Sequence, residues 1–213
     1  MTYLSPSQRG VTPQHAGRFP GFDTLDQIKY WDHATAGVVL ERLAVATQLA
    51  YFTAQEVSVA RPLVDLLLGQ EGEPRVPVLE LIDTRLARGE TDGWHYDDLP
   101  EDADAWRQTL AWLDEDAQTK HFREFAHLVS AEQSVLVQQV QDLANNGDKW
   151  HGWNAEHVWS LWTRYATTAF YSHPWAWNEI GFGGPAYPRG YLNLGVNARE
   201  KWEVPDHGEG ARK

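Results

Sequence analysis

Apolar residues recur at helical spacing through most of this chain, and polar punctuation divides them into segments. The last long segment is the clearest. Val158, Leu161, Trp162, Tyr165, Ala166 and Ala169 fall at i, i+3, i+4, i+7, i+8 and i+11, a complete apolar helix face. Asn154 is the expected N-cap, and His173-Pro174 the expected stop. Ala103–Gln118 carries Trp106, Leu110 and Leu113 at i, i+4 and i+7 above an acidic far side. After Pro77, apolar positions 78, 79, 81, 82 and 86 give a helix that Gly89 ends.

The remaining elements follow from the same pattern. A strongly apolar first helix is expected from near Asp23–Asp32 to about Phe52, with Pro62 breaking any continuation. Pro62–Leu68 reads as a short helical turn, and residues 69–74 as a loop. Residues 121–128 add a short helical stretch. Ser130, with Gln133 at the third helical position, reads as a capping box opening a helix that ends at Asn145–Asp148. No segment alternates in the manner of a strand. The expected fold is all-α. One helical domain spans residues 30–203, between an extended N-terminal arm (1–29) and a flexible tail (204–213).

Phe170–Tyr191 departs from the helical pattern. It holds Pro174, Pro185 and Pro188 with Gly181, Gly183, Gly184 and Gly190, which argues for irregular backbone. It also holds Tyr171, Trp175, Trp177, Phe182, Tyr187 and Tyr191, too many rings for a solvated linker. The last helix already supplies a full apolar face, so the surplus rings, chiefly Trp175, Trp177, Phe182 and Tyr187, are expected on a partner surface. Asn178, Glu179 and Arg189 sit among them. They either satisfy the irregular backbone or cross that interface.

Composition narrows the chemistry. Thirty acidic residues against 18 Lys plus Arg give a formal charge of −12, which disfavours nucleic acid and anionic membrane surfaces. With no cysteine there is no disulfide, thiolate metal site or cysteine nucleophile. No apolar run of membrane-spanning length and no export signal is visible, so the expected location is cytoplasmic, or periplasmic only by escort. Nucleophile-elbow, dinucleotide and phosphate-loop motifs are absent. Glu124 and His127 form one Glu-x-x-His pair of the two that a di-iron bundle requires. With His151, His157 and His173 they are the weak metal candidates, and satisfied structural histidines are the alternative reading. Eleven tryptophans leave sugar stacking on Trp175, Trp177 or Tyr187 as a further alternative.

Two stretches resemble the gluconate 2-dehydrogenase subunit 3 family, the small subunits of flavin-dependent sugar and polyol dehydrogenases. In residues 110–140 the matching positions are Leu113, Asp114, Phe125, Leu128, Ser130, Gln133 and Leu136. Residues 165–191, YATTAFYSHPWAWNEIGFGGPAYPRGY, resemble the family's aromatic, Gly/Pro-rich ending. The likeness extends over roughly 35–203. It implies a non-catalytic accessory subunit that binds no cofactor itself. Its partner would be a large glucose-methanol-choline type subunit carrying FAD. The family offers no catalytic residue to transfer. Many members carry a twin-arginine signal, which is not found here before Thr35. Trp175, Trp177, Asn178, Glu179, Phe182, Tyr187, Arg189 and Tyr191 are the residues expected to meet the partner. An independent metal-dependent oxidoreductase and a carbohydrate-binding helical protein are the competing readings.

Overall fold

Thr53 and Glu56 start the first well-packed helix. The Thr53 side chain accepts from the Glu56 N–H, and the Glu56 carboxylate accepts from the Thr53 N–H at 2.7 Å, a complete capping box. The computed structural model describes residues 9–44, 48–193, 195–196 and 198–204. Seven α-helices are seen among them: α1 (His33–Glu41), α2 (Ala54–Leu68), α3 (Val78–Ala87), α4 (Asp102–His121), α5 (Ser130–Asn146), α6 (Ala155–Ser172) and α7 (Pro174–Ile180). Short 3-10 turns cover Pro13–His15, Thr24–Tyr30 and Phe125–His127. The chain is predominantly helical, as its pattern predicts. Its one described sheet is a hairpin of two-residue strands, β1 (Lys149–Trp150) and β2 (Trp153–Asn154). The hairpin turns on His151 (φ 47°) and Gly152 (φ 89°), the doubly positive φ that a two-residue hairpin favours.

Contacts cluster in two compact units, one within residues 46–71 and 77–169, the other within 1–45, 72–76 and 170–213. In the first, α2 packs against α3, α4 and α5. Its core joins Leu63 and Val64 of α2, Ile82 of α3, Trp106, Leu110 and Leu113 of α4, Leu136 of α5, and Leu161, Trp162 and Tyr165 of α6. The Trp162 indole donates to Thr109 Oγ1 at 3.0 Å, so that ring is buried without an orphaned N–H. Trp106 meets Tyr165 edge-on at 5.9 Å.

The second unit gathers Leu25, Trp31, Val39, Leu43 and Trp177 into a small core, with Ile28, Ala36, Leu40 and Trp175 packed against it. Asp23 caps the 3-10 turn at Thr24–Tyr30, and Asp32 caps α1 through the Thr35 N–H at 2.8 Å.

Several elements differ from the sequence expectation. The long first helix is not seen among the described residues: α1 ends at Glu41, and α2 begins afresh at Ala54 behind its Thr53 cap. Pro62 lies inside α2 without breaking it, because burial of Val59, Ala60, Leu63 and Val64 around it outweighs one lost hydrogen bond. The α5 cap is displaced by one residue. Ser130 is already helical, Glu132 rather than Gln133 reaches back to the Val129 N–H at 3.2 Å, and the buried Gln133 donates to the Phe125 carbonyl at 2.9 Å. Within residues 1–29, expected as an extended arm, the described part contains two 3-10 turns and contributes Leu25 to a core. Expected to be irregular, Pro174–Ile180 is a helix, with proline at its first position and Gly181 (φ 71°) closing it.

Candidate functional site

The residues expected at a partner surface divide into two sets. Trp177 is 5 % exposed and Asn178 1 %, so both belong to the interior of their unit. The Trp177 indole donates to the Tyr171 carbonyl at 2.6 Å, and the Arg42 guanidinium covers its ring at 5.6 Å. Asn178 works as a clasp: its Oδ1 accepts from the Thr24 N–H at 2.8 Å and its Nδ2 donates to the Val11 carbonyl at 2.8 Å. Neither side chain has surface to offer a partner or a sugar. Trp175 and Glu179 are half-buried. Arg189 is tied down, donating to the Gly183 carbonyl at 2.8 Å and to Gln27 Oε1 at 3.1 Å, with Trp202 stacked at 3.7 Å. Phe182, Tyr187 and Tyr191 present their rings to solvent, the last two at 66 % and 51 % exposure.

His173 is buried at the start of helix α7. It is the N-cap, and its Nδ1 accepts from the Trp175 N–H at 3.2 Å. Burial, reinforced by the Arg42 charge, pushes its pKa down to about 4, so the ring is neutral and can accept. The other metal candidates are each engaged separately. His151 pairs with Asp116 at 3.0 Å and stacks on Trp112, 5.0 Å away and 7° from parallel. His157 pairs with Asp98 at 2.6 Å and stacks on Tyr96 at 3.7 Å. Glu124 and His127 approach to 3.5 Å on an exposed turn. The weak metal candidates are therefore not brought together, and among the described residues no three His, Asp or Glu side chains converge as metal ligands.

Two buried carboxylates carry connections that sequence patterning missed. Asp83 in α3 accepts from the backbone N–H groups of Ala50, Tyr51 and Phe52 at 2.7, 2.9 and 2.8 Å. Asp102, at the start of α4, accepts from Tyr165 Oη and Arg164 Nη2, both at 2.9 Å. Asp92 joins Arg164 to Arg85, whose guanidinium lies over the Tyr165 ring at 4.7 Å. Burial, then Asp102, pushes the Tyr165 hydroxyl well above the usual tyrosine range. This network locks α3, α4, α6 and the loop after α3 together.

A protein-family model, Gluconate 2-dehydrogenase subunit 3, matches residues 54–184. The chain belongs to that family. The subunit 3 match starts at the first residue of α2 and runs through α7 to Gly184. It therefore takes in the helical core, the His173 cap and Phe182, while Tyr187, Arg189 and Tyr191 follow it. No match to the chain was found among curated proteins or solved structures. No described helix of this subunit 3 family member is long and apolar enough to cross a membrane.

Proposed function

We propose that this chain is a non-catalytic accessory subunit that stabilises, matures or escorts a large FAD-dependent sugar or polyol dehydrogenase of the glucose-methanol-choline type. The family match over residues 54–184 carries the reading. The use of the buried polar groups supports it: His173 caps a helix, Asp83 gathers three backbone N–H groups, and Asp102 pairs with Arg164 and Tyr165. These are structural assignments. FAD is assigned to the partner. The partner-facing residues are Phe182, Tyr187 and Tyr191, with half-buried Trp175, Glu179 and Arg189 beside them in sequence. Trp177 and Asn178 hold the segment from within.

Co-expression of the tagged chain with a flavoprotein dehydrogenase encoded in its gene neighbourhood tests this. The expected result is co-purification of a complex that shows flavin absorbance, with higher yield of active flavoprotein than in its absence. A monodisperse chain that leaves the flavoprotein's yield and activity unchanged would overturn the reading.

A further inference from the structure

Helices α2, α5 and α7 each close on a glycine at positive φ: Gly69 (64°), Gly147 (72°) and Gly181 (71°). Helix α4 closes instead on Phe122, at φ 56° and ψ 29°, and its ring is 90 % exposed. A bulky side chain strains this region of backbone, and a phenyl ring in water forgoes its burial. Both disadvantages fall on one residue, which marks it as a candidate contact. Lys120 and Arg123 flank it in sequence, both exposed, with Arg123 3.4 Å from Glu132.

A cavity of about 220 Å³ opens between α2 and the same helix α4. Val59 and Leu110, both buried, and Ala111 give it an apolar floor, while Glu56, Arg107 and Asp114 also line it. That volume, below the roughly 300–1,000 Å³ of drug-sized pockets, suits a single side chain. Ala111, Gln118 and the Phe122 cap follow at i, i+7 and i+11, the spacing of one helix face. At 1.5 Å per residue, Phe122 lies about 16 Å along α4 from Ala111, so it cannot enter the cavity of its own copy.

We propose that this chain pairs with a second copy of itself. The two α4 helices run antiparallel, and each Phe122 ring enters the cavity of the other copy. Ring and cavity complement one another. The ring meets an apolar floor, with the Arg107 guanidinium beside it. Lys120 and Arg123 beside the ring face a cavity that carries the Glu56 and Asp114 carboxylates. One two-fold axis uses both contacts, since each copy gives a ring and receives one. Uncharged Gln118 lies between ring and cavity on the shared face, so the axis does not oppose like charges along that stripe. The inference concerns the chain alone and is independent of the accessory-subunit reading.

Sedimentation equilibrium of the full chain tests it, from about 1 μM to 1 mM. Salt is held at about 0.15 M, which screens the −12 charge on each copy. A monomer–dimer equilibrium is expected within that range. Phe122→Asn removes the ring and places a residue tolerated at positive φ, so the variant folds. It is expected to weaken dimerisation about a hundredfold, roughly tenfold for each ring lost. Ala111→Trp, at an exposed helix position, fills the cavity and is expected to do the same. Should it fail to fold, Ala111→Lys takes its place. The deciding experiment mixes the two variants. The Phe122→Asn copy keeps an open cavity and the Ala111→Trp copy keeps a ring, so one contact is restored. The mixture is expected to form heterodimers about tenfold more tightly than either variant pairs with itself. A wild-type chain that stays monomeric, unchanged pairing of Phe122→Asn, or a mixture no more associated than its components would each overturn the proposal.

Discussion

The buried carboxylate of Asp83 holds the Phe52 N–H at 2.8 Å, and with it the N–H groups of Tyr51 and Ala50. One side chain on α3 thereby sets the turn that leads into α2. Asp83→Ala removes the acceptor from three donors at once. The expected cost is on the order of 3 kcal/mol, about 6–12 °C in Tm for a chain of this size. Asp83→Asn keeps one acceptor oxygen but turns an NH2 toward N–H donors, so its loss is expected to fall between zero and that of alanine. Thermal or denaturant unfolding of the two variants checks the order.

That turn also shows where sequence patterning stopped. The apolar run before residue 50 fits a helix, and periodicity cannot say where such a run breaks. The signal that could have placed the break is local: Thr53-Ala-Gln-Glu56 is itself a capping-box sequence. Helices α3, α4 and α6 were legible because one apolar face apiece faces a core. Asp83 and Asp102 were not, because a carboxylate on an amphipathic helix reads as solvated until tertiary structure supplies its donors.

His173 makes stability depend on pH. Its folded pKa, about 4, lies below the ordinary value of 6.5 because the ring is buried and faces Arg42. Between those values the unfolded chain takes up a proton that the folded chain refuses. Stability is therefore full above pH 6.5 and falls as pH drops toward 4, by about 3 kcal/mol from this group. His173→Asn keeps an N-cap acceptor and removes the titration. Its unfolding free energy is expected to fall less steeply than wild type between pH 6.5 and 4.5, measured by denaturant titration; parallel slopes would sink the assignment.

Aromatic excess in Phe170–Tyr191 pointed to rings packed against something, and Trp177, 5 % exposed, is such a ring. What it could not tell is which rings point inward, since that depends on α7, whose sequence Pro-Trp-Ala-Trp starts with a residue usually read as a breaker. Once Pro174 is seen as a first-turn proline, α7 turns Trp177 and Asn178 inward.

Trp177 and Tyr187 are accordingly expected to behave as opposites. Trp177→Ala removes the buried ring that α7 gives its core and is expected to cost about 3–5 kcal/mol in the isolated chain. Tyr187→Ala is expected to stay within about 0.5 kcal/mol of wild type, because its ring is mostly solvated. If the proposed docking face is right, Tyr187→Ala lowers flavoprotein recovery in a pull-down while the chain's own Tm holds. Unchanged recovery would remove Tyr187 from that face.

Gly184 and Gly190 separate close packing from backbone freedom within the same segment. Both have positive φ, 76° and 67°, so alanine at either strains the backbone by about 1 kcal/mol. They differ in surroundings. A Cβ at Gly184 would sit 2.3 Å from Cζ2 of Trp31, a buried core ring, whereas a Cβ at Gly190 would meet nothing within 4 Å. Gly184→Ala must therefore displace Trp31 as well, adding roughly 1–3 kcal/mol of overpacking. Gly190→Ala carries the backbone term alone. Unfolding midpoints of the two variants are expected to differ by that amount, with Gly184→Ala the lower. Equal midpoints would mean that Trp31 yields freely, and that the Gly/Pro-rich stretch is not pinned to the core through that contact.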